Sequence, residues 1–351
     1  MEEEGAEGSS IEALLVDKEL LELVFLSPAC LNDSHLRILP LVCRTPTRIK
    51  AFQGIRVVSV AAGWHHSVFL TACGEVFACG NSKEGKLGQG EDKPDASLHE
   101  PRRVVGLEDV TAIRVVAGAF HTLVLTSTGT LYSFGYGRNG RLGLGDANDR
   151  SVATLITGLC GEEVVQMSGG NMHSLAVTKT GRAYAWGDGS YGILGLPAVN
   201  EDVTTPMLIG GAFEAKRVVA ASAGDFHNLF LTDDGQVFSC GRDSATLNTL
   251  QTRDGNGRLG YAVTADAQCE PKLIPALADK VATVIAAASW ALNPMLSQHH
   301  QLSGLGTYSQ TSARLGHGTT DTVTTPKKIE KLAPFAIQSV SSNGRHTLAL
   351  T

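Results

Sequence analysis

The sequence predicts an all-β fold, a single β-propeller of four-stranded blades, from three observations. A frame of one histidine and four glycines recurs along the chain, and the stretch from Val60 to Gly88 is its first copy. In four copies the histidine and the next glycine are eight residues apart, and another glycine follows six residues later. Successive histidine positions lie 52 to 65 residues apart. A period of about 50 residues is typical of propellers and other repeat arrays.

Short apolar runs within each copy predict the strands of a blade. Each run is four to six residues long, rich in Val, Phe and Leu, and bounded by glycine. In the first copy they are Val57–Ala62, Ser67–Thr71, Glu75–Cys79 and a run around Arg102–Val105. Four short strands per repeat make one propeller blade. The four copies of the frame are Gly63, His66, Gly74, Gly80, Gly88; Gly118, His121, Gly129, Gly135, Gly143; Gly170, His173, Gly181, Gly187, Gly195; and Gly224, His227, Gly235, Gly241, Gly260.

Two further copies are incomplete. The fifth keeps Gly304 and Gly306 but has Leu292 where the histidine belongs, and the sixth starts at Asn343 and His346. We expect the fifth copy to pack as a blade in spite of its drift.

The blade count depends on how the ring closes. The segment 45–49, TPTRI, matches the blade-ending segment 325–329, TPKKI, so the chain starts with the end of a blade and finishes in the middle of one. We therefore expect N-terminal strands to complete the last blade, which removes free sheet edges. This gives six blades by sequence count, with seven as the alternative.

The N-terminal region predicts a boundary near residue 20. Residues 1–20 read as an acidic tail and a short helix, because Ser9 and Glu12 have capping-box spacing before an apolar pattern. Leu21–Leu26 reads as a strand. We predict two regions, the tail at 1–20 and the propeller at 21–351.

Composition excludes several classes of protein. The formal net charge of −6 gives no basic field for nucleic acid. No apolar run reaches the 18 residues of a membrane span, so we expect no membrane association. The acidic N-terminus does not fit a signal peptide, and seven scattered cysteines fit a reducing compartment. We expect a cytoplasmic monomer, with the nucleus as the alternative location.

The repeated segments resemble a known family, the regulator of chromosome condensation repeat. The matching segments are VAAGWHHSVFL, MSGGNMHSLAV, GTLYSFG, GRAYAWG and GQVFSCG. The resemblance covers roughly 45–351 and implies a propeller, usually of seven blades. Relatives in this family include nucleotide-exchange factors and interaction modules. One branch senses ultraviolet light with clustered tryptophans, but Trp64, Trp186 and Trp290 occupy three different repeat positions here.

The repeated histidines are interpreted as structural. They recur in the same context once per blade, whereas a catalytic histidine needs a distinct environment and a partner. We expect each to bond backbone in a neighbouring strand, since buried polar groups are normally hydrogen-bonded. We therefore predict no catalytic residue, no enzyme activity and no metal site. The histidines are His66, His121, His173, His227 and His346.

Two glycine motifs match a dinucleotide fingerprint, at 135–140 and 187–192. Each follows a predicted strand, but neither opens a helix, as nucleotide binding would require. Their shared repeat position predicts turns instead. Residues 254–258, DGNGR, lack the ligands of a calcium loop. We predict no cofactor.

The fourth copy carries an insertion that breaks the frame. Gly241 and Gly260 are nineteen residues apart, whereas the corresponding glycines are eight apart in the first three copies. Strand alternation places the insertion, 242–257, on the same face as the Gly-x-x-His connections. Long loops on rigid scaffolds often carry recognition, although a tolerated surface insertion is the alternative. The predicted protein-binding residues are Asp243, Leu247, Leu250, Arg253, Asp254 and Asn256.

These observations favour a non-catalytic interaction propeller that binds a protein partner through loops on one face. The alternative, implied by the resemblance alone, is a guanine-nucleotide exchange factor for a small Ran-like GTPase. The family's chromatin-binding exchange factors have a basic tail and a wedge in the third blade. Here the tail is acidic and the third copy has no insertion.

Overall fold

A computed structural model describes residues 49–90, 97–243, 257–261, 263, 267–287, 292–306, 323–343 and 346–351. This part of the chain contains strands and short 3₁₀ turns and no α-helix. It separates into two compact units, which are described one at a time. The first unit comprises Met1–Arg138 and Asn148–Thr157, and the second comprises Asn139–Ala147 and Gly158–Thr351.

The first unit holds two four-stranded antiparallel sheets. In each sheet the strands lie side by side in sequence order, as in a propeller blade. The fourth strand of the first blade begins earlier than the sequence suggested, because Ser97 and Leu98 already pair with Asn81 and Gly80. The strands are β1 (Val57–Ala62), β2 (His66–Thr71), β3 (Val76–Asn81) and β4 (Ser97–Arg103), then β5 (Ala112–Ala117), β6 (His121–Thr126), β7 (Leu131–Gly135) and β8 (Arg150–Leu155).

The second unit holds three four-stranded sheets and one two-stranded sheet. The fifth copy keeps a full sheet, as predicted, although Pro294 lies within its second strand. The strands are β9 (Val164–Gly169), β10 (His173–Thr178), β11 (Ala183–Gly187), β12 (Val203–Leu208); β13 (Val218–Ala223), β14 (His227–Thr232), β15 (Val237–Arg242), β16 (Ala267–Leu273); β17 (Ala282–Ile285), β18 (Leu292–Ser297), β19 (Leu302–Gly306), β20 (Val323–Lys328); and β21 (Ser339–Asn343) with β22 (His346–Leu350).

Short 3₁₀ turns connect the strands. Two of those in the connections between third and fourth strands, Arg138–Gly140 and Ser190–Gly192, end the two glycine motifs of the sequence. The turns in the described part of the chain are Lys50–Phe52, Lys83–Gly85, Arg138–Gly140, Thr157–Leu159, Ser190–Gly192, Gly211–Phe213, Pro275–Leu277 and Glu330–Leu332.

Strand register explains the fixed spacing from histidine to the second glycine. His227 lies directly opposite Gly241 in the antiparallel pair of β14 and β15, and the other full copies repeat this pairing. Gly241 has a φ of +111°, and a Cβ on it would lie 2.4 Å from the carbonyl oxygen of Phe226. Only glycine fits there without strain. Leu292 pairs with Gly306 in the fifth copy, so it does occupy the histidine position.

The second strand of each regular blade is the centre of the packing. Every residue of β2, β6, β10 and β14 is buried. In the first unit, side chains from both blades form one apolar cluster that includes Val68, Leu87 and Phe134. The first strands β1, β5, β9 and β13 each carry a register shift at their second residue, a bulge that turns the side chain outward. Ile113 is 55% exposed at such a bulge.

First strands of neighbouring blades in the second unit are bridged by polar side chains. Gln166 Nε2 donates to the carbonyl oxygen of Ala221 at 2.7 Å, and its Oε1 accepts from the N–H of Ala221 at 3.2 Å. The Ser168 hydroxyl accepts from the N–H of Ala223 at 3.0 Å. These hydrogen bonds join β9 to β13, and the small residues of both strands allow the two backbones to lie close together.

Proline limits pairing at several outer strands. Pro101, Pro206, Pro271 and Pro326 lie in the fourth strands of their blades. Proline cannot donate to a ladder and is therefore confined to sheet edges. The second blade has Ala153 instead, and its N–H donates to the carbonyl oxygen of Val105 at 3.0 Å. Val105, in the connection between β4 and β5, therefore covers part of the edge of β8.

The closure of the ring lies outside the described residues. The last sheet has two described strands, β21 and β22. The strands expected to complete it, the count of six blades and the boundary at residue 20 all depend on 1–48. They remain predictions.

Candidate functional site

The connections on one side of each blade form what we call the loop face. It consists of the connections between first and second strands and those between third and fourth strands. The two kinds of connection are joined by backbone bonds, from the N–H of Asn81 to the oxygen of His65 at 2.8 Å and from the N–H of Arg242 to the oxygen of Phe226 at 2.8 Å. As strand alternation predicts, the two kinds of connection lie on the same side of the first and fourth blades.

The repeated histidines lie at the start of second strands, and two of them, His66 and His173, contact the next blade. His66 Nε2 is 3.0 Å from the Thr122 hydroxyl, and His173 Nε2 is 2.6 Å from Asn228 Oδ1. Backbone was the expected partner, but both contacts are between side chains. Thr122 and Asn228 each follow the histidine of the next repeat, and their side chains face the ring of the preceding one. His121 and His227 are fully buried.

Burial keeps the imidazoles of His66 and His173 neutral near pH 7. Desolvation, followed by the charge of Lys86, lowers the pKa of His66 to about 3. Desolvation also lowers the pKa of His173 to about 4, against the opposing hydrogen bond to Asn228. A neutral ring facing an amide oxygen must donate to it, so His173 carries its proton on Nε2. The hydrogen bond from His173 to Asn228 therefore links its blade to the next one.

Carbonyl groups of the loop face accept bonds from the blade beside them. The oxygen of Arg141 accepts from the Ser174 hydroxyl and from Trp186 Nε1, both at 2.9 Å. The oxygen of Ile193, at the equivalent repeat position, accepts from Asn228 Nδ2. The loops of the second unit are thus held by buried polar contacts.

Asp243 lies at the stem of the insertion rather than on its surface. Its side chain is 2% exposed, and Oδ1 accepts from the N–H of Arg258 at 2.9 Å. Burial raises its pKa, while the N–H groups of Arg258, Leu259 and Gly257 oppose that rise. The predicted direct contact of Asp243 with a partner does not fit this burial. The remaining predicted binding residues, Leu247, Leu250, Arg253, Asp254 and Asn256, lie outside the described residues.

The insertion leaves the fourth blade intact. Leu259 is fully buried in an apolar cluster with Leu229 and Ile274. The Ser239 hydroxyl donates to the oxygen of Leu259 at 2.7 Å, and the Tyr261 hydroxyl donates to the oxygen of Ser239 at 3.0 Å. The chain therefore rejoins the repeat in its normal position.

An aromatic cluster occupies the loop face of the first unit. The ring of Phe120 is 5.1 Å from that of Trp64 and 6.1 Å from that of Tyr136. Lys86 Nζ lies 5.6 Å from the centre of the Phe120 ring, and the Lys86 side chain is buried. The three aromatic residues are half-buried. Trp64 lies in the connection between β1 and β2, with Gly63 before it and His66 after it.

The glycine motifs lie on turns. Segments 135–140 and 187–192 end in the turns Arg138–Gly140 and Ser190–Gly192, and no helix follows them. Within the described ranges, no three His, Cys, Asp or Glu residues are grouped as metal ligands would be. Those ranges also contain no helix long and apolar enough to cross a membrane.

Known proteins share this repeat. The chain is 32% identical over 249 residues to the E3 ubiquitin-protein ligase HERC2 of Homo sapiens, which covers 70% of this chain and 5% of HERC2. It is 33% identical over 232 residues to the ultraviolet-B receptor UVR8 of Arabidopsis thaliana, which covers 66% of this chain and 49% of UVR8. The chain thus spans about half of one relative and a small part of the other.

Solved propellers share the fold. Human WBSCR16 superposes with a TM-score of 0.74 at 24% identity, covering 87% of this chain and 75% of that one. Yeast RCC1 (Prp20), solved bound to Kap60, gives 0.71 at 20% identity, with 93% and 73% covered. Prp20p from Saccharomyces cerevisiae, described with its binding properties to Gsp1p and histones, gives 0.50 at 19% identity, with 90% and 86% covered. The predicted all-β propeller fold is confirmed.

Family assignment rests on the repeats themselves. The model described as Regulator of chromosome condensation (RCC1) repeat matches residues 36–70, 73–125, 128–177 and 180–231. A second model of the same description matches 57–86, 112–141, 164–193 and 218–245. These matches cover more than half of the chain and include the four regular histidine positions. The chain belongs to the family of RCC1-repeat proteins.

Proposed function

We propose that this chain is a non-catalytic protein-interaction propeller whose loop face binds a protein partner. The observation that carries the proposal is the half-buried cluster of Trp64, Phe120 and Tyr136 on the loop face of the first unit. Large aromatic side chains at the edge of a rigid scaffold provide contact area at low entropic cost. We expect them to anchor the partner.

The setting of the cluster supports this function. Backbone bonds hold the rings in place, since the N–H of Trp64 donates to the oxygen of Ala119 at 3.0 Å and that of Tyr136 donates to the oxygen of Phe120 at 3.0 Å. Phe120 also packs over buried Lys86. A preorganised surface loses little freedom on binding, which favours affinity.

The histidines support a role without acid–base chemistry. His66 and His173 are buried, neutral near pH 7 and engaged with the neighbouring blade. A general acid or base needs a pKa near the working pH and access to the reacting atom. Neither imidazole meets these conditions.

Guanine-nucleotide exchange on a small Ran-like GTPase is the second candidate. The similarity in fold to Prp20, which binds Gsp1p, favours it. Exchange requires preferential binding to the nucleotide-free GTPase rather than proton transfer. The loop face would supply that binding surface.

Partner capture tests the first candidate. The full chain, immobilised, would be cross-linked in cell extract and its partners quantified by mass spectrometry. The double variant Trp64→Ala/Tyr136→Ala should lose roughly tenfold in captured partner, since a few central aromatics dominate interfaces. Ile113→Ser, an exposed apolar change at the far end of β5 in the same unit, should capture as the unchanged chain does. Equal capture by the double variant, with its fold intact by circular dichroism, would place the binding surface elsewhere.

A nucleotide-release assay separates the two candidates. A Ran-type GTPase loaded with fluorescent GDP would be mixed with an equimolar amount of the chain. An interaction module leaves the release rate unchanged. A rate increase that disappears in Trp64→Ala/Tyr136→Ala would favour exchange activity through the same face.

A further inference from the structure

Tyr191 has a backbone conformation that tyrosine rarely adopts. Its φ is +56°, at the repeat position where Asn139 has +61° and Glu84 has +56°. The scaffold requires this left-handed conformation, and asparagine tolerates it better than a bulky residue does. Packing of the blade does not explain a tyrosine here, because 42% of the residue is exposed.

The ring of Tyr191 is held by a buried guanidinium. Arg242 Cζ lies 4.2 Å from the centre of the ring, and Arg242 is 7% exposed. A cation–π contact with a buried guanidinium holds the ring while leaving much of the residue in solvent. Tyr191 is therefore a rigid, exposed aromatic side chain on the loop face of the second unit.

Arg242 belongs to a group of buried charged side chains. Asp225, Asp243 and Arg258 are also buried, and the guanidinium of Arg258 interacts electrostatically with both carboxylates and with Arg242. The guanidinium that contacts the Tyr191 ring is therefore part of a buried network of charges of both signs.

The connection that carries Tyr191 is acidic. Residues 188–202 contain Asp188, Glu201 and Asp202 and no Lys or Arg. Glu201 and Asp202 are exposed, and Gly189 packs so closely that a Cβ on it would lie 2.0 Å from the oxygen of Glu201. Asp202 Oδ2 accepts from Asn139 Nδ2 at 2.9 Å, which leaves Glu201 as the more available carboxylate.

We infer that Tyr191 and Glu201 form a docking site for an arginine-bearing segment of a protein partner. The guanidinium of that segment stacks on the exposed ring and pairs with the Glu201 carboxylate, a combination that planar guanidinium suits better than ammonium. This inference rests on the proposed function and adds the chemistry of the partner and a second contact region.

Defined peptides test the site. Biotinylated decapeptides of alternating Arg and Gly, Lys and Gly, or Glu and Gly would be presented to the full chain, and binding measured by biolayer interferometry at low and moderate salt. We expect the Arg–Gly peptide to bind at least tenfold more tightly than the Glu–Gly peptide and several-fold more tightly than the Lys–Gly peptide. Absence of either preference in the unchanged chain would overturn the inference.

The variants separate binding from folding. Tyr191→Asn installs the residue that the second blade uses at the same position, so the melting temperature should hold or rise while Arg–Gly affinity falls at least fivefold. Tyr191→Phe should bind within twofold of the unchanged chain. Glu201→Gln should weaken binding and reduce its salt dependence, whereas Glu214→Gln, a matched loss of an exposed charge between β12 and β13 in the same unit, should not. Unchanged affinity in Tyr191→Asn would overturn the inference.

Failure of this site and failure of the proposed function give different results. If the chain captures a protein whose cross-links avoid 188–202, and Tyr191→Asn captures it equally, the interaction function stands and the docking site is wrong. If the chain captures no protein at all, the proposed function is wrong.

Discussion

Buried imidazoles connect residue chemistry to the stability of the whole chain. His66 and His173 have pKa values of about 3 and about 4 in the fold, below the ordinary value of 6.5. The unfolded chain therefore binds more protons than the folded chain between pH 6.5 and these values. The contribution of these two neutral rings to the free energy of unfolding is therefore fully present above pH 6.5 and falls as the pH falls through this window.

Acidification from pH 7 to pH 5 should destabilise the chain. Between pH 7 and pH 5, proton uptake by these two unfolded histidines should lower the free energy of unfolding by about 4 kcal/mol. Urea unfolding at several pH values measures this slope. His66→Gln/His173→Gln should have a flatter slope. An identical slope in the double variant would show that other groups control the pH dependence.

Removing one ring should weaken the contact between blades. His173→Ala leaves Asn228 Oδ1 buried without its donor, which costs about 1–3 kcal/mol. His121→Ala and His227→Ala should have similar costs, because all three rings occupy the same repeat position and are fully buried. Thermal unfolding of the three variants measures this. A variant that kept full stability but lost partner binding would mean that its histidine belongs to a site.

The side-chain contacts of individual residues were only partly predictable from the sequence. The same residues surround the histidine in each repeat, and this recurrence was enough to assign the histidines to the scaffold. The assignment did not require their bonding partners to be known. The partners Thr122 and Asn228 could not be identified, since each comes from the next repeat, 56 or 55 residues away. Likewise, Trp64, Phe120 and Tyr136 lie in three separate connections and meet only after strand pairing.

At the scale of elements, strand spacing was predictable because register is local. A histidine and the glycine opposite it belong to one hairpin, so their separation is the same wherever the hairpin forms. The start of β4 was less predictable, because its first residues pair across a long connection. The burial of Asp243 was also missed, since its acceptor role depends on N–H groups beyond the insertion.

Shortening the insertion should preserve the fourth blade. Deleting 244–254 restores the eight-residue spacing of the first three copies and keeps Asp243, Gly257 and Arg258. Because Asp243 already holds the stem through the N–H of Arg258, we expect stability within about 1 kcal/mol of the full chain. Calorimetry measures this change.

A second measurement on the shortened chain addresses the function of the insertion. If residues such as Leu247 and Leu250 contact the partner, capture should fall although the melting temperature holds. Asp243→Ala in the full chain is the control, because it should lower the melting temperature by removing a buried acceptor. Equal capture by the shortened chain would assign binding to the rest of the loop face.

At the scale of the whole molecule, we predict that N-terminal strands complete the last blade. Strands β21 and β22 form a two-stranded sheet in the described part of the chain, and a two-stranded sheet alone is marginally stable in water. The end-of-blade segment at 45–49 and the apolar run Leu21–Leu26 are the strands we expect to complete it. Ring closure of this kind joins the two ends of the chain.

Removing residues 1–44 should therefore expose unpaired strand edges, lower the melting temperature and produce oligomers through edge pairing. Light scattering coupled to size-exclusion chromatography, together with thermal unfolding, measures both effects. Removal of 1–20 alone is the matched control, because an acidic tail and short helix outside the propeller should leave size and melting temperature unchanged. If the 1–44 deletion stays monomeric with an unchanged melting temperature, N-terminal closure is wrong. If the 1–20 deletion aggregates as well, the propeller begins earlier than residue 21.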